Sequence, residues 1–132
     1  MKELIIEASS DNLDTVFDFV NAELESVGCP MKTVMNINLA IEEIFVNISH
    51  YAYTHSTGDV VVRLDVGSEI VIEFEDSGKP FNPLLKDDPD ISINAAEREI
   101  GGLGIFMVKK IMDAVEYRNE DSKNILTIRK GL

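Results

Sequence analysis

Glu43 and Asn47 form the first pair of side chains whose types and spacing could do chemistry. They stand four positions apart within residues 40–47, a stretch with helical periodicity. At about 100° per residue they point within about 40° of each other, so a carboxylate and an amide oxygen can converge on one site. An amide oxygen suits Mg²⁺ that is also held by phosphates, and a carboxylate can take a proton from a nucleophile. A solvated helix face is the commoner reason for this spacing.

Asp76 follows a strand that is expected to be buried, within residues 74–83. A carboxylate there is badly placed unless it has a partner, and it could accept a hydrogen bond from the exocyclic amine of adenine. Gly78 would remove side-chain bulk and let the base approach the backbone. Asp, Ser, Gly and Pro also form turns, so an ordinary turn explains this segment equally well.

A glycine-rich segment at residues 101–104 lies where a helix is expected to begin. Unpaired backbone N–H groups and the positive end of the helix dipole attract phosphate there, and glycine lets the chain come close. The segment is neither a phosphate-binding Walker A loop nor a dinucleotide fingerprint, because the required Lys-Ser/Thr and G-x-G-x-x-G patterns are missing. A glycine-rich connector is the alternative.

The elements that must position these side chains follow from the periodicity of apolar residues. Strands are predicted over residues 2–8, 59–66, 69–75, 114–119 and 125–130. Helices are predicted from the N-cap residues 9–11 to Gly28, over residues 31–53 and over residues 101–112. Residues 79–100 carry three prolines and lack sustained periodicity, although residues 91–99 could form a short helix.

Antiparallel hairpins dominate this pattern, which predicts an α+β fold. The expected architecture is a two-layer α/β sandwich with helices packed on one face of a mixed, mostly antiparallel sheet. A doubly wound parallel sheet is disfavoured. The length of 132 residues predicts one domain over residues 1–132.

Composition narrows the function classes. The net charge of -12, from 24 acidic and 12 basic residues, disfavours direct binding to a nucleic-acid backbone. This charge serves either solubility or an acidic face for a basic protein partner. No apolar run reaches the length of a membrane span and no signal peptide is evident, so a cytoplasmic protein is expected. Cys29 stands alone, which excludes an internal disulfide and makes a poor metal site.

The order of these segments resembles the GHKL ATP-binding fold. That order is a helix with Glu-x-x-x-Asn, a strand-end Asp-x-Gly, a proline-bearing loop and Gly-Gly-x-Gly before a helix. Within that superfamily, the segments 76–83 (DSGKPFNP) and 101–108 (GGLGIFMV) are similar to those of the anti-sigma-factor serine/threonine kinases. The resemblance covers essentially the whole chain.

The resemblance implies a role for each matching residue. Asn47 would coordinate Mg²⁺, Glu43 would be the catalytic base or water-orienting carboxylate, and Asp76 would hold the adenine of ATP. Thr127 would assist Asp76, although plain β-propensity explains a threonine there equally well. The other residues expected to contact the nucleotide are Gly78, Lys79, Phe81, Gly101, Gly102, Leu103, Gly104 and Ile105.

Two further features concern the same resemblance. Residues 79–100 would be the ATP lid, and Lys79, Arg98 and Lys109 are the candidate cations for the phosphates. The family often has histidine at the position of Tyr51, whereas His50 comes one residue early and is interpreted as a surface or lid-contact residue.

The resemblance implies a protein kinase that phosphorylates a serine of a small antagonist protein and also binds a sigma factor or similar regulator. Homodimerisation is typical of such proteins. The alternatives are a nucleotide-gated binding module without kinase activity, or a simple ATPase. Glu43 favours chemistry over gating, because a binding module needs no base there.

Overall fold

The computed structural model describes residues 1–53, 57–85 and 102–132. The five predicted strands and the three longer predicted helices are present, whereas the possible short helix over residues 91–99 lies outside the described residues. In chain order the elements are strand β1 (Lys2–Glu7), a 3-10 turn (Ser10–Asn12), helix α1 (Leu13–Ser26), helix α2 (Met31–Tyr51), strands β2 (Asp59–Val66) and β3 (Glu69–Asp76), a second 3-10 turn (Pro83–Leu85), helix α3 (Gly102–Ile111), and strands β4 (Ala114–Glu120) and β5 (Lys123–Gly131).

The sheet has the strand order β1-β2-β3-β5-β4, and every described pair is antiparallel. The α+β sandwich is therefore confirmed, but the parallel component of the expected mixed sheet is absent from the described strands. The physical reason is that β5 turns back from β4 and inserts beside β3, so the connection through α3 creates no parallel neighbours.

The hydrophobic core lies between the helices and one face of the sheet. Alternate residues of the strands supply the sheet side, as expected for a period of two. Apolar residues at helical spacing in α1, α2 and α3 supply the other side of the core. The core includes Val16, Val20, Leu24, Ile37, Ile41, Ile44, Phe45, Val60, Val62, Leu64, Ile70, Ile72, Phe74, Val108, Leu126 and Ile128.

The turn between α1 and α2 sets the start of the helix that carries the candidate site. Gly28 adopts a positive φ of 66°, and the Cys29 N–H donates to the carbonyl of Leu24 across 3.0 Å. The left-handed conformation of Gly28 ends α1, and Pro30 is the N-cap residue of α2. Within the described residues, the helices lack the combination of length and apolarity that spanning a membrane requires.

The opposite face of the sheet carries ion pairs. Arg63 on β2 contacts Glu3, Glu73 and Glu75, and Arg129 on β5 contacts Glu69 and Glu116. These partly exposed pairs contribute little stability individually. Together they make one face of the sheet charged, whereas the face toward the helices is apolar. A shift of one residue in strand register would exchange the two faces, so register decides which side chains can reach the helices.

Candidate functional site

A cavity of about 480 Å³ opens between α2, the ends of β3 and β5, and the start of α3. Five of the residues predicted from the sequence line it: Asn47, Asp76, Lys79, Phe81 and Ile105. The segments that carry them are far apart in the chain and meet because β3 and β5 are neighbours under α2. The remaining lining residues are Ile44, Ile48, Tyr51, Ala52, Pro83, Tyr117, Asn124 and Leu126.

Helix α2 supplies one wall of the cavity. Ile44, Asn47, Ile48 and Tyr51 follow the helical spacing of three and four, so they share one face. Asn47 is half-buried there, with apolar neighbours on its own helix. An amide at this place can offer its oxygen to a ligand in the cavity.

Glu43 lies one turn before Asn47 and beside the first turn of α3. A Cβ added at Gly104 would overlap the Glu43 carboxyl group, with the Cδ atom only 2.9 Å away. The carboxyl group therefore lies against the backbone at Gly104, which glycine alone leaves open. This contact joins the predicted base to the glycine-rich segment.

Asp76 ends β3 and is only 6% exposed. Its Oδ1 atom accepts hydrogen bonds from the backbone N–H of Gly78, at 2.9 Å, and from Nδ2 of Asn124, at 3.0 Å. Burial raises the pKa of Asp76 above its ordinary value, and these two hydrogen bonds oppose that shift. Among the described residues, none donates to Oδ2.

Asn124 is the residue that the sequence analysis missed. It is 7% exposed and pairs with Asp76 across β3 and β5. Its Oδ1 accepts from Tyr117, Asn119 and the backbone of Phe81. Its Nδ2 donates to Asp76 and to the carbonyls of Gly78 and Lys79. One amide thus ties Asp76 to the start of the proline-bearing segment.

The comparison with protein families decides what kind of domain this is. The family model of the histidine kinase-like ATPase domain matches residues 6–130. The chain belongs to the histidine kinase-like ATPase family. This confirms the GHKL resemblance, and membership implies ATP binding. None of the curated proteins matches the chain.

Among solved structures, the chain is similar to the crystal structure of the RsbU and RsbW domains of Rv1364c from Mycobacterium tuberculosis. The identity is 17% and the TM-score is 0.69. The similarity covers 100% of this chain and 33% of that one, so this chain spans about a third of its length. At this identity the likeness shows the fold.

In this histidine kinase-like ATPase domain, Thr127 does not reach the cavity. It is 4% exposed and pairs with Glu73 and Glu116 on the face of the sheet that carries the ion pairs. Side chains alternate along a strand, so residue 127 and residue 124 point to opposite faces. The predicted contact between Thr127 and Asp76 is therefore wrong, because the two side chains lie on opposite faces of the sheet. Asn124 contacts Asp76 instead.

Gly78 lies against the end of α2, where a Cβ would overlap the backbone oxygen of Ala52. The N–H of Lys79 donates to that same oxygen across 3.3 Å. The lack of a side chain at Gly78 thus serves the packing of the strand end on α2. Whether it also accommodates a base stays a prediction.

Tyr53 fastens the same corner. Its hydroxyl accepts a hydrogen bond from the N–H of Ser77 and donates one to the carbonyl of Asp59, both at 2.8 Å. Burial raises the pKa of Tyr53. The ends of α2 and β3 and the start of β2 are therefore held together beside the cavity.

The remaining predicted residues are only partly placed. Gly101, Arg98 and most of the expected ATP lid lie outside the described residues. Gly102 and Leu103 begin α3, and Gly104 and Ile105 are buried in its first turn. Lys109 lies in the last turn of α3, and exposed His50 contacts Tyr51 edge to face at 6.1 Å.

The donor chemistry bears on magnesium. In the described part of the chain, no group of three or more His, Cys, Asp or Glu residues could hold a metal ion by itself. Asn47 lines the cavity, and its amide oxygen fits Mg²⁺ whose other ligands would be phosphate oxygens and water.

Proposed function

We propose that this chain is an ATP-dependent serine/threonine protein kinase of the anti-sigma-factor type. The observation that carries the proposal is the convergence of three segments on one cavity, with Asn47 from α2, Asp76 from β3 and Ile105 from α3 all lining it. The family match and the likeness to a chain with an RsbW domain support this assignment. ATP would bind with its base at Asp76 and its phosphates at the start of α3.

The reaction would transfer the γ-phosphoryl group of ATP to a side-chain hydroxyl. The bond from phosphorus to the leaving ADP oxygen breaks, a bond to the hydroxyl oxygen forms, and the hydroxyl proton passes to Glu43. Glu43 suits this role because its carboxyl group lies against Gly104, where the phosphates are expected. Magnesium, held by Asn47 and the phosphates, would offset the charge of the transferred group.

Lys79 is the described cation that lines the cavity. A lysine at this place could neutralise charge on the nucleotide. The positive end of the dipole of α3 would add to the same effect at the phosphates. Positioning and charge neutralisation would therefore supply most of the catalysis.

The protein substrate would be a small antagonist protein, and the regulated partner a sigma factor or similar regulator. The net charge of -12 suits a partner with a basic contact surface. A homodimer is the assembly expected from the family resemblance, and sedimentation of the purified chain tests it.

The decisive experiment compares Glu43→Gln with Glu42→Gln. Glutamine keeps the volume of Glu43 but cannot take the proton, so phosphotransfer from radiolabelled ATP to the antagonist protein should fall by about 10²–10⁴-fold. ATP affinity should stay within about threefold, because the base acts on the acceptor hydroxyl and contributes little to ground-state binding. Glu42 is exposed and serves as the matched control.

The same assay separates the alternatives. Phosphoamino-acid analysis of the labelled product should find serine or threonine. Binding of the partner only with ATP present, without label transfer, would favour a nucleotide-gated module. Release of phosphate without a labelled protein would favour a simple ATPase. Undiminished transfer by Glu43→Gln contradicts the proposed base.

A further inference from the structure

The orientation of the Asn124 amide is set by groups whose hydrogen-bonding character cannot change. The backbone N–H of Phe81 can only donate, and it points at Oδ1 across 3.4 Å. The carbonyls of Gly78 and Lys79 can only accept, and they receive Nδ2 at 3.4 Å and 3.0 Å. A flipped amide would set N–H against N–H and oxygen against two carbonyls, which costs the hydrogen bonds on both sides.

This fixed amide and the backbone N–H of Gly78 act together on Asp76. Nδ2 of Asn124 donates to Oδ1 of Asp76, and the N–H of Gly78 donates to the same atom. Oδ1 is therefore an acceptor in every protonation state, and any proton that Asp76 holds must reside on Oδ2. Since no described residue donates to Oδ2, that oxygen is the one left for a ligand.

We propose that Asn124 is a positioning residue that, together with the backbone N–H of Gly78, fixes the hydrogen-bonding polarity of Asp76, so that Oδ2 selects a purine with a 6-amino group over one with a 6-oxo group. The proposal rests on the proposed ATP site and deepens it. An exocyclic amine donates to Oδ2, whereas a 6-oxo group would set acceptor against acceptor in a largely buried place.

Other charged and titratable groups lie around the pair. They include Glu75 on the other face of β3, which contacts Arg63 and Lys123. Because these groups are common to the wild type and to any variant at position 124, a difference in pH dependence reports on that position. On the surrounding elements, Tyr53 interacts electrostatically with Asp76, and Lys79 and Tyr117 line the same cavity.

The test measures affinities for ATP and inosine triphosphate by calorimetry at pH 6, 7 and 8. The two ligands carry the same triphosphate, so their ratio isolates the base. The wild type should prefer ATP by at least about tenfold at pH 7 and 8, the loss expected for an unpaired buried acceptor.

Asn124→Asp is the sharpest variant, because it changes one donor into an oxygen without changing shape. Its carboxyl group faces Asp76 and two carbonyls, so the two acids must share a proton to stay in place. With that proton on residue 124, Asp76 keeps a free acceptor. ATP affinity relative to the wild type should therefore fall at least tenfold from pH 6 to pH 8.

A second variant keeps the test decisive if Asn124→Asp does not fold. Asn124→Ser is too short to donate to Asp76, so the ionised form of Asp76 loses a stabilising hydrogen bond. The preference for ATP should then be lost at a higher pH than in the wild type. Thr127→Ser, on the same strand but the opposite face, should match the wild type.

The outcomes distinguish the two proposals. A wild type that binds neither nucleotide overturns the ATP site itself. A wild type that prefers ATP, together with Asn124 variants that share its pH dependence, overturns only the role of Asn124. If Asp76 keeps its position in the Asn124 variants and the pH dependence of ATP affinity does not change, Asn124 has only a structural role. That result would also overturn the proposal for Asn124.

Discussion

Gly104 lies against the carboxyl group of Glu43, in the first turn of α3. Glycine is a poor helix residue, about 1 kcal/mol less favourable than alanine, so its place in a helical turn calls for a reason. The reason is spatial, because any Cβ would occupy the position of the carboxylate. Helix α3 therefore has a residue of low helix propensity at position 104, and this residue leaves room for the carboxyl group of Glu43.

Gly104→Ala should therefore misplace Glu43 without unfolding the protein. The carboxyl group is the end of a flexible side chain and can move aside, so the folding cost is small. A misplaced base should lower phosphotransfer by about 10–100-fold in single-turnover assays. Gly67→Ala, where nothing lies within 4 Å of the new methyl group, is the control. Unchanged transfer by Gly104→Ala would refute the link.

Gly78→Ala should act on stability instead. Here the new Cβ meets backbone, with the carbonyl carbon of Ala52 at 2.7 Å and its oxygen nearer still. Backbone cannot rotate away as a side chain can, so the cost should be about 1–3 kcal/mol in urea unfolding. The hydrogen bond from Lys79 to Ala52 would be strained as well.

A double variant checks the cause of that loss. Ala52→Gly removes the methyl group of Ala52 but leaves its carbonyl in place. It should therefore fail to restore the stability of Gly78→Ala. Full rescue would show that the side chain of Ala52, and not its carbonyl, causes the overlap.

Periodicity was sufficient to predict the elements of the fold. The alternation in β2 and β3 and the helical stripe of α2 each reflect burial on one face, which is a local property of the sequence. The ends of the elements were predicted less accurately. Helix α2 ends at Tyr51 and not at residue 53, and the β4–β5 turn contains only Asp121 and Ser122. Both turn residues have positive φ, at 53° and 64°, although neither is glycine.

The site was predicted only where its motifs are local. Asp76 was identifiable as a carboxylate at the end of a buried strand, and Glu43 and Asn47 by helical spacing. Asn124 was missed because Asp76 and Lys79, which its amide joins, lie more than 40 positions away and their approach depends on the register of β3 and β5. Within a stretch of turn-forming residues, an asparagine is usually a turn residue. The contact of Thr127 was predicted wrongly for the same reason, because the sequence alone does not reveal that the register pairs Asn124 with Asp76.

Asp76→Asn should stabilise the protein at neutral pH while it damages ATP binding. Folding raises the pKa of Asp76, chiefly through burial, so the folded state binds a proton more readily than the unfolded state. The wild type's stability therefore falls as pH rises through the pKa of the folded protein. Asparagine has no charge to bury, so the variant escapes this loss.

Thermal unfolding at pH 4 to 8 measures the effect. The midpoint of Asp76→Asn should lie above that of the wild type at pH 8, and the two should converge as pH falls. Asp65→Asn changes an exposed aspartate of β2 and controls for the change of net charge. A difference between Asp76→Asn and wild type that is the same at every pH would contradict the linkage to Asp76.

The same variant should reverse the preference for the base. Its Oδ1 still accepts from Gly78 and Asn124, so its Nδ2 must occupy the place of Oδ2 and face the cavity as a donor. ATP affinity should fall at least tenfold, whereas inosine triphosphate, with a 6-oxo acceptor, should bind as tightly as ATP or more tightly. Combining Asp76→Asn with Asn124→Ala leaves the N–H of Gly78 as the one described donor that holds the amide in this orientation, so the reversal should weaken. A reversal of undiminished size in the double variant would mean that Asn124 does not contribute to the polarity.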